Sequence, residues 1–266
     1  MIYIIGSSSF IGKKIFKVYK KKEIKKISTK VVKNTIKTNI FNKTCKDTWQ
    51  KKIKDNDIIF FMSSFGDMLF HEKNQKKIYQ KIKNLEKNFF NEIHNSPKII
   101  FMSSDMVYDG KKKYYKNNDE TNPLNEYGKT KVKIENLIKR YFKFYLILRL
   151  PKIYSKISKD QIFPFNQIKK LKQKKIIGLY NDNLSHYLDI KILIKFLSLK
   201  KIIKKSFTGN FNISSNTVYS RYGFIKKFIK NNYDLKLLNY IKKKSYQTSK
   251  IKIPKNIIYI KNYYKK

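Results

Sequence analysis

A single cysteine, Cys45, in a chain of 266 residues excludes an internal disulfide framework and fits a reducing compartment. Alanine is missing altogether, and only Arg140, Arg149 and Arg221 are arginines among 62 basic residues. Histidine is scarce: His71, His94 and His186 lack the spacing of metal ligands, so no metal is expected. After Arg149 the acids are confined to Asp160, Asp182, Asp189 and Asp234, which form no metal-holding cluster. No apolar run approaches the ~20 residues of a membrane span. The first such run, residues 1–5, is shorter than a signal peptide's apolar region and meets Gly6 at once. These absences lead to the expectation of a soluble, cytoplasmic protein with no membrane partner.

What is present is a core-forming chain with an extreme charge. Hydrophobic residues make up 41% and aromatics 15%, which excludes global disorder. The length suffices for one large α/β domain, or for a core domain plus a smaller lobe. A net charge of +44 points at first to a polyanion. The lysines, however, are scattered through the whole chain, and the accompanying Ile, Asn, Tyr and Phe share AT-rich codons. The charge is therefore read as solvated lysine faces, with no specific nucleic-acid partner. Its field would still attract a phosphate-bearing substrate.

Residues 1–5 form a short isoleucine-rich run that reads as a buried parallel strand. The segment GSSSFIGKKIFKVYKK follows, with Gly6 at the strand's end and Gly12 just inside a helix marked by Ile11, Ile15 and Val18. Strand, glycine turn and helix is the context that lets a backbone approach a pyrophosphate. The pattern is Gly6-x-x-Ser9-x-x-Gly12, with Ser9 where a middle glycine is usual; Ser9, Phe10 and Ile11 join both glycines as candidate cofactor contacts. A second strand is expected over residues 24–32. No acid follows it to bind a ribose; Ser28, Thr29 and Lys30 stand there, and Lys30 or Lys33 would suit a 2′-phosphate. Residues 38–41 read as a short third strand, making Asn39 and Ile40 cofactor-site candidates, and residues 46–54 as a short helix. Residues 57–62 are the next buried strand, ending in Ser63 and Ser64, small residues beside which a cofactor can lie. A long helix over 74–95 and a strand over 99–102 follow. This β-α-β order with near-continuous apolar strands predicts a doubly wound parallel sheet, whose ligand sits at the strands' carboxyl ends.

The chemistry is concentrated between residues 98 and 135, KIIFMSSDMVYDG followed by PLNEYGKTK. Ser104 closes a buried strand. Tyr127 and Lys131 are four apart in a helical segment and share one face. A cation beside a tyrosine favours phenolate and lowers a pKa that is ordinarily ~10. Such a tyrosine can exchange a proton with a carbonyl oxygen while hydride reaches the carbon, and Ser104 can hold the same oxygen. In a chain with 20 tyrosines and so many lysines the spacing alone would mean little. The ordered combination of glycine turn, Ser104 and the YGKTK helix is what carries the reading. Asp105, as Ser104's strand neighbour, should point away from the pair.

SSDMVYDG, PLNEYGKTK and Glu135 together resemble the extended short-chain dehydrogenases/reductases, and among them the dTDP-4-dehydrorhamnose reductase and NAD-dependent epimerase/dehydratase group. The resemblance implies a Rossmann-like α/β fold with a smaller C-terminal substrate-binding lobe, with residues 1–154 binding NADPH or NADH. Residues 155–266 would be mainly the lobe, with about 176–200 returning to the first domain. It implies Tyr127 as general acid/base, Lys131 as ribose ligand and depressor of the tyrosine's pKa, and Ser104 as hydroxyl partner. Arg149 would lie near the nicotinamide. His186 and Asp189 match the returning segment, with His186 read as structural. The substrate implied is a nucleotide-linked sugar, and a homodimer is the oligomer the family allows. Members of this group carry small polar residues and a tryptophan after the arginine; here LPKIY stands instead, leaving the substrate open. Reduction of a 4-keto group is the expected reaction, with epimerisation or dehydration by the same residues, or a non-catalytic cofactor-binding scaffold, as the rivals.

Overall fold

The continuous apolar runs become strands covered on both faces. The computed structural model describes residues 1–20, 22–30, 34–42, 48–63, 65–112, 115–160, 162–173, 184–213, 215 and 218–232. In chain order these contain β1 (Ile2–Ile5), α1 (Phe10–Tyr19), β2 (Ile24–Ser28), β3 (Thr35–Lys37), β4 (Ile58–Phe61), α2 (Met68–Lys73) and α3 (Gln75–Leu85). They continue with β5 (Lys98–Ser104), α4 (Glu126–Tyr141), β6 (Phe144–Leu150), β7 (Lys152–Tyr154), α5 (Phe165–Lys172) and β8 (Leu184–Asp189). The last are α6 (Ile190–Leu197), β9 (Gly209–Asn212), β10 (Val218–Ser220) and α7 (Arg221–Asn232).

Seven strands form a sheet in the order β3-β2-β1-β4-β5-β6-β9, every pair parallel. This is the expected Rossmann-like doubly wound fold. The order reverses beside β1, which brings the ends of β1, β4 and β5 to one crevice. Alternate strand residues feed two cores. Tyr3, Ile5, Phe61, Phe101 and Ile147 face Ile78, Leu85, Ile134 and Ile138 of α3 and α4. Ile2, Ile4, Phe60, Ile100 and Leu148 face Ile15 of α1 and Leu193 and Phe196 of α6. A second sheet, β10-β8-β7, carries its own small core of Phe163, Ile168, Tyr187, Phe224 and Phe228.

Several expected boundaries move. The third strand is Thr35–Lys37, and residues 38–41 are a turn instead. There Asn39 Oδ1 accepts from Phe41 N at 3.2 Å, while Asn84 and Asn88 reach in to bind the carbonyls of Ile40, Phe41 and Asn42. Side-chain amides thus satisfy backbone that a strand ladder would otherwise have to satisfy. The second strand ends at Ser28, and residues 31–33 lie outside those described. Within the expected helix over 46–54 the described residues hold one 3₁₀ turn, Trp49–Lys52. The long helix over 74–95 is α3 followed by a π-turn, Glu86–Phe90. A short helix the periodicity did not reveal, α2, precedes it, capped by Asp67 Oδ1 accepting from Phe70 N at 2.9 Å.

Candidate active site

The glycine turn is built as a phosphate cradle. Gly6 sits at φ +83°, a conformation that side chains disfavour, and leaves β1 beside Ser63. A Cβ at Gly12 would meet the Gly6 carbonyl oxygen at 2.4 Å, so the first turn of α1 lies directly on the loop. Ser9, the departure from the usual glycine, is the N-cap: its Oγ accepts from Gly12 N at 3.1 Å. Phe10 and Ile11 are half-buried at the start of α1, and Ser63 is half-buried at the end of β4. The small residues, the close backbone approach and the open helix end fit a dinucleotide pyrophosphate. Ser28, at the end of β2, is folded inward and donates to Ser8 Oγ at 2.7 Å, while Lys30 stays exposed. Asn39 and Ile40 lie in the turn clamped by Asn84 and Asn88, with Ile40 buried. Ser64 and Lys33 lie outside the described residues.

Ser104, Tyr127 and Lys131 come together at the carboxyl edge of β5. Asn125 caps α4, its Oδ1 accepting from Gly128 N at 2.8 Å. Gly128 is needed for contact: a Cβ there would meet Met106 O at 2.2 Å. The start of α4 therefore rests on the turn that follows Ser104. Lys131 is buried, donates to Met102 O at 3.0 Å and lies 5.6 Å from the centre of the Tyr127 ring. The Tyr127 hydroxyl has no hydrogen-bond partner among the described residues.

Two electrostatic expectations are reversed. The Tyr127 pKa is pushed up to about 12, by burial and then by the negative charge of Asp105. Lys131, whose ammonium is turned to a carbonyl and whose own pKa burial pushes down to about 8, does not offset that burial. Asp105 does not point away. The chain leaves β5 into a 3₁₀ turn, Asp105–Val107, so strand alternation ends at Ser104. Ser104 Oγ donates to Asp105 Oδ1 at 3.1 Å, and burial raises this carboxyl to about 6.

Arg149 stands near the end of β6. It is 1% exposed and bound bidentately to Glu135, Nη2 to Oε2 at 2.7 Å and Nε to Oε1 at 3.2 Å. Its Nη1 donates to Tyr108 OH at 2.6 Å and Asn117 O at 3.2 Å, so most of the guanidinium's donors are engaged within the protein. Ser103 Oγ donates to the same Glu135 at 2.5 Å. This network explains Glu135 and Tyr108 of the motif as supports that fasten β5, β6 and α4 behind the reacting edge. His186 has its expected structural setting, buried with Nδ1 2.8 Å from Ser215 O, and Asp189 caps α6.

Three residues near the centre escaped sequence reading. His71 of α2 is buried edge-on to Tyr127, ring centres 5.2 Å apart. Its Nδ1 lies 3.1 Å from Thr130 Oγ1, a hydroxyl that also bonds Glu126 O. Burial and then Lys131 lower its pKa, so the ring stays neutral. Lys152 and Arg221 lie on the other side, both over the ring of Phe163. The LPKIY departure marked Lys152; nothing in the pattern marked His71 or Arg221.

Residues 1–257 match the family described as "RmlD substrate binding domain". The methionine adenosyltransferase 2 subunit beta of Bos taurus is 26% identical over 129 residues, 47% of this chain; the match spans only 39% of that protein's length. The crystal structure of a dTDP-4-dehydrorhamnose reductase from Clostridium acetobutylicum superposes with a TM-score of 0.71 at 23% identity, over 97% of this chain and 90% of that one. MoeE5 in complex with UDP-glucuronic acid and NAD gives 0.76 at 13% identity, over 97% and 88%. These two likenesses establish the fold, and the family match covers nearly the whole chain. The chain therefore belongs to the RmlD substrate-binding-domain family of the extended short-chain dehydrogenases/reductases.

Proposed function

We propose that this chain is a nicotinamide-dependent oxidoreductase of nucleotide-linked sugars that reduces a ring ketone, most simply at C4. Residues 1–154 form the cofactor domain. Residues 155–266 supply mainly the substrate lobe, with about 176–200 returning to the first domain. Gly6, Ser9, Phe10, Ile11, Gly12 and Ser63 hold the dinucleotide's phosphates. Lys131, with only one of its N–H bonds given to a protein acceptor, takes the ribose hydroxyls. A bound nicotinamide supplies the hydride that reaches the carbonyl carbon. Tyr127 gives its phenolic proton to the carbonyl oxygen as the C=O π bond opens, and Ser104 Oγ holds that oxygen; hydride plus proton complete the alcohol. The observation that supports this reading is geometric: Tyr127 and Lys131 share the face of α4 that rests on the turn following Ser104. Burial favours the protonated phenol, the form a general acid needs.

A second reading, dehydration, is favoured by one contact. Asp105 accepts from Ser104 and holds its proton to about pH 6, which places an additional acid at the centre. Product analysis separates the two, since dehydration releases water and leaves a keto sugar where reduction leaves an alcohol.

The test is titration with NADH and NADPH, followed by turnover on a panel of nucleotide-linked 4-keto sugars. Tyr127→Phe is expected to lower kcat by about 10²–10⁴-fold and to change cofactor affinity little. Wild-type protein that binds neither cofactor would end the enzymatic reading.

A further inference from the structure

Phe163 carries two cations on its ring. Lys152 Nζ lies 5.5 Å and Arg221 Cζ 6.0 Å from the ring centre. Neither makes an ion pair or side-chain hydrogen bond among the described residues, and Arg221 Nε is buried without a partner there. The ring is fixed from behind, stacked on Tyr187 at 5.4 Å, and Tyr187 is the register partner of Lys152 across β7 and β8. Lys152 is exposed to solvent, and desolvation and then Arg221 push its pKa down to about 8.

The acid that opposes Lys152 is Asp105, whose charge is felt by Lys152, Tyr187 and Tyr127 alike. No contact of 4 Å or less joins Asp105 to either cation. With Asp105 ionised, two cations and one carboxylate leave one positive charge over. The rings of Phe163 and Tyr187 beside these cations offer no acceptor, and an anion on the ligand would balance the excess. Its place is equally informative. Ser104 pairs in register with Leu150, two residues before Lys152, so Lys152 follows directly on the strand that lies beside Ser104. A guanidinium paired with an ammonium suits a planar, bidentate oxyanion.

We propose that Lys152 and Arg221 bind a carboxylate carried by the sugar of the substrate, so that the preferred substrate is a nucleotide-linked sugar acid. This rests on the reading of the site as one for nucleotide-linked sugars. Lys152 and Arg221 are specificity determinants, and proton transfer remains with Tyr127.

The experiment compares matched probes, UDP-glucuronic acid with UDP-glucose and the same pair linked to dTDP, by equilibrium binding to the full chain saturated with NADH. Wild type is expected to bind the acid at least tenfold more tightly than its neutral counterpart. Lys152→Met and Arg221→Gln, checked for unchanged melting temperature, should each lose about tenfold for the acid and less than twofold for the neutral sugar. Lys152→Arg should retain the preference. Equal affinity for both sugars in wild type overturns the proposal, and so do variants that weaken both probes alike, because that places the cations on the diphosphate. In either case the broader reading survives. If NADH binds and none of the four nucleotide sugars does, both readings fall together.

Discussion

Replacing Glu135 by glutamine should be among the most damaging isosteric changes in this protein. The Glu135 carboxylate and the Arg149 guanidinium have side chains only 1% and 2% exposed, and they meet at 2.7 Å. Burial works to lower the arginine's pKa, but the bond and charge of Glu135 outweigh it and the net shift is upward. In Glu135→Gln the counter-charge vanishes and an amide N–H₂ is turned toward N–H groups of Arg149. One amide oxygen, Tyr108 OH and Asn117 O remain as acceptors for a guanidinium that water does not reach, and none of them carries a charge. Breaking a buried pair on one side costs about 3–5 kcal/mol, which in a chain of this size lowers Tm by roughly 6–20 °C. Urea and thermal unfolding would measure it, alongside Arg149→Met and the double variant. Because both changes strike one network, the double variant should cost less than the sum of the singles by at least ~2 kcal/mol. Additivity within about 0.5 kcal/mol, or a harmless Glu135→Gln, would show that the pair is not the fastener described here.

Gly12→Ala should lower affinity for NADH and NADPH at least tenfold, read by nucleotide fluorescence titration, because its methyl meets the Gly6 carbonyl at 2.4 Å and the backbone must move. The accompanying loss of stability should be about 1–3 kcal/mol. Asp105→Asn should change stability in a pH-dependent way. The folded chain holds the Asp105 proton to about 6 against an ordinary 3.8, so wild type is at its best below the lower value and loses stability as pH rises through the higher. Relative to Asp105→Asn, wild type should lose about 2.4 kcal/mol between pH 4 and pH 8, measured by urea unfolding; a flat difference would refute the buried charge.

The strands were legible because apolar side chains on both faces of a covered parallel sheet leave a continuous hydrophobic run, and β1, β4, β5 and β6 all carry one. Ser104, Tyr127 and Lys131 were legible because a strand end and a helix face fix where their side chains emerge. What escaped depends on events that have no period. The third strand stops at Lys37 because Asn84 and Asn88, more than forty residues away, take the carbonyls that follow. Asp105 joins Ser104 because a 3₁₀ turn ends the alternation on which its outward direction was argued. The tyrosine's pKa moved against expectation because charge spacing along a helix says nothing of burial, and burial is the larger effect here.

The same point applies to the cations. A net charge of +44 gives no means of choosing among the lysines, but the partners of the enclosed ones do. Arg149 has a carboxylate, a phenol and a carbonyl, which take four of its five N–H donors and fasten it in place. Lys98 has the carbonyls of Lys204 and Phe207, which ties the start of β5 to the segment before β9. Lys131 has a single carbonyl and keeps donors in reserve. Lys152 has none among the described residues, and its neighbour Arg221 has none either. An ammonium without protein acceptors takes its hydrogen bonds from water or from a ligand. On this scale Lys131 suits the cofactor role proposed for it, and Lys152 and Arg221 suit the anion-binding role proposed for them.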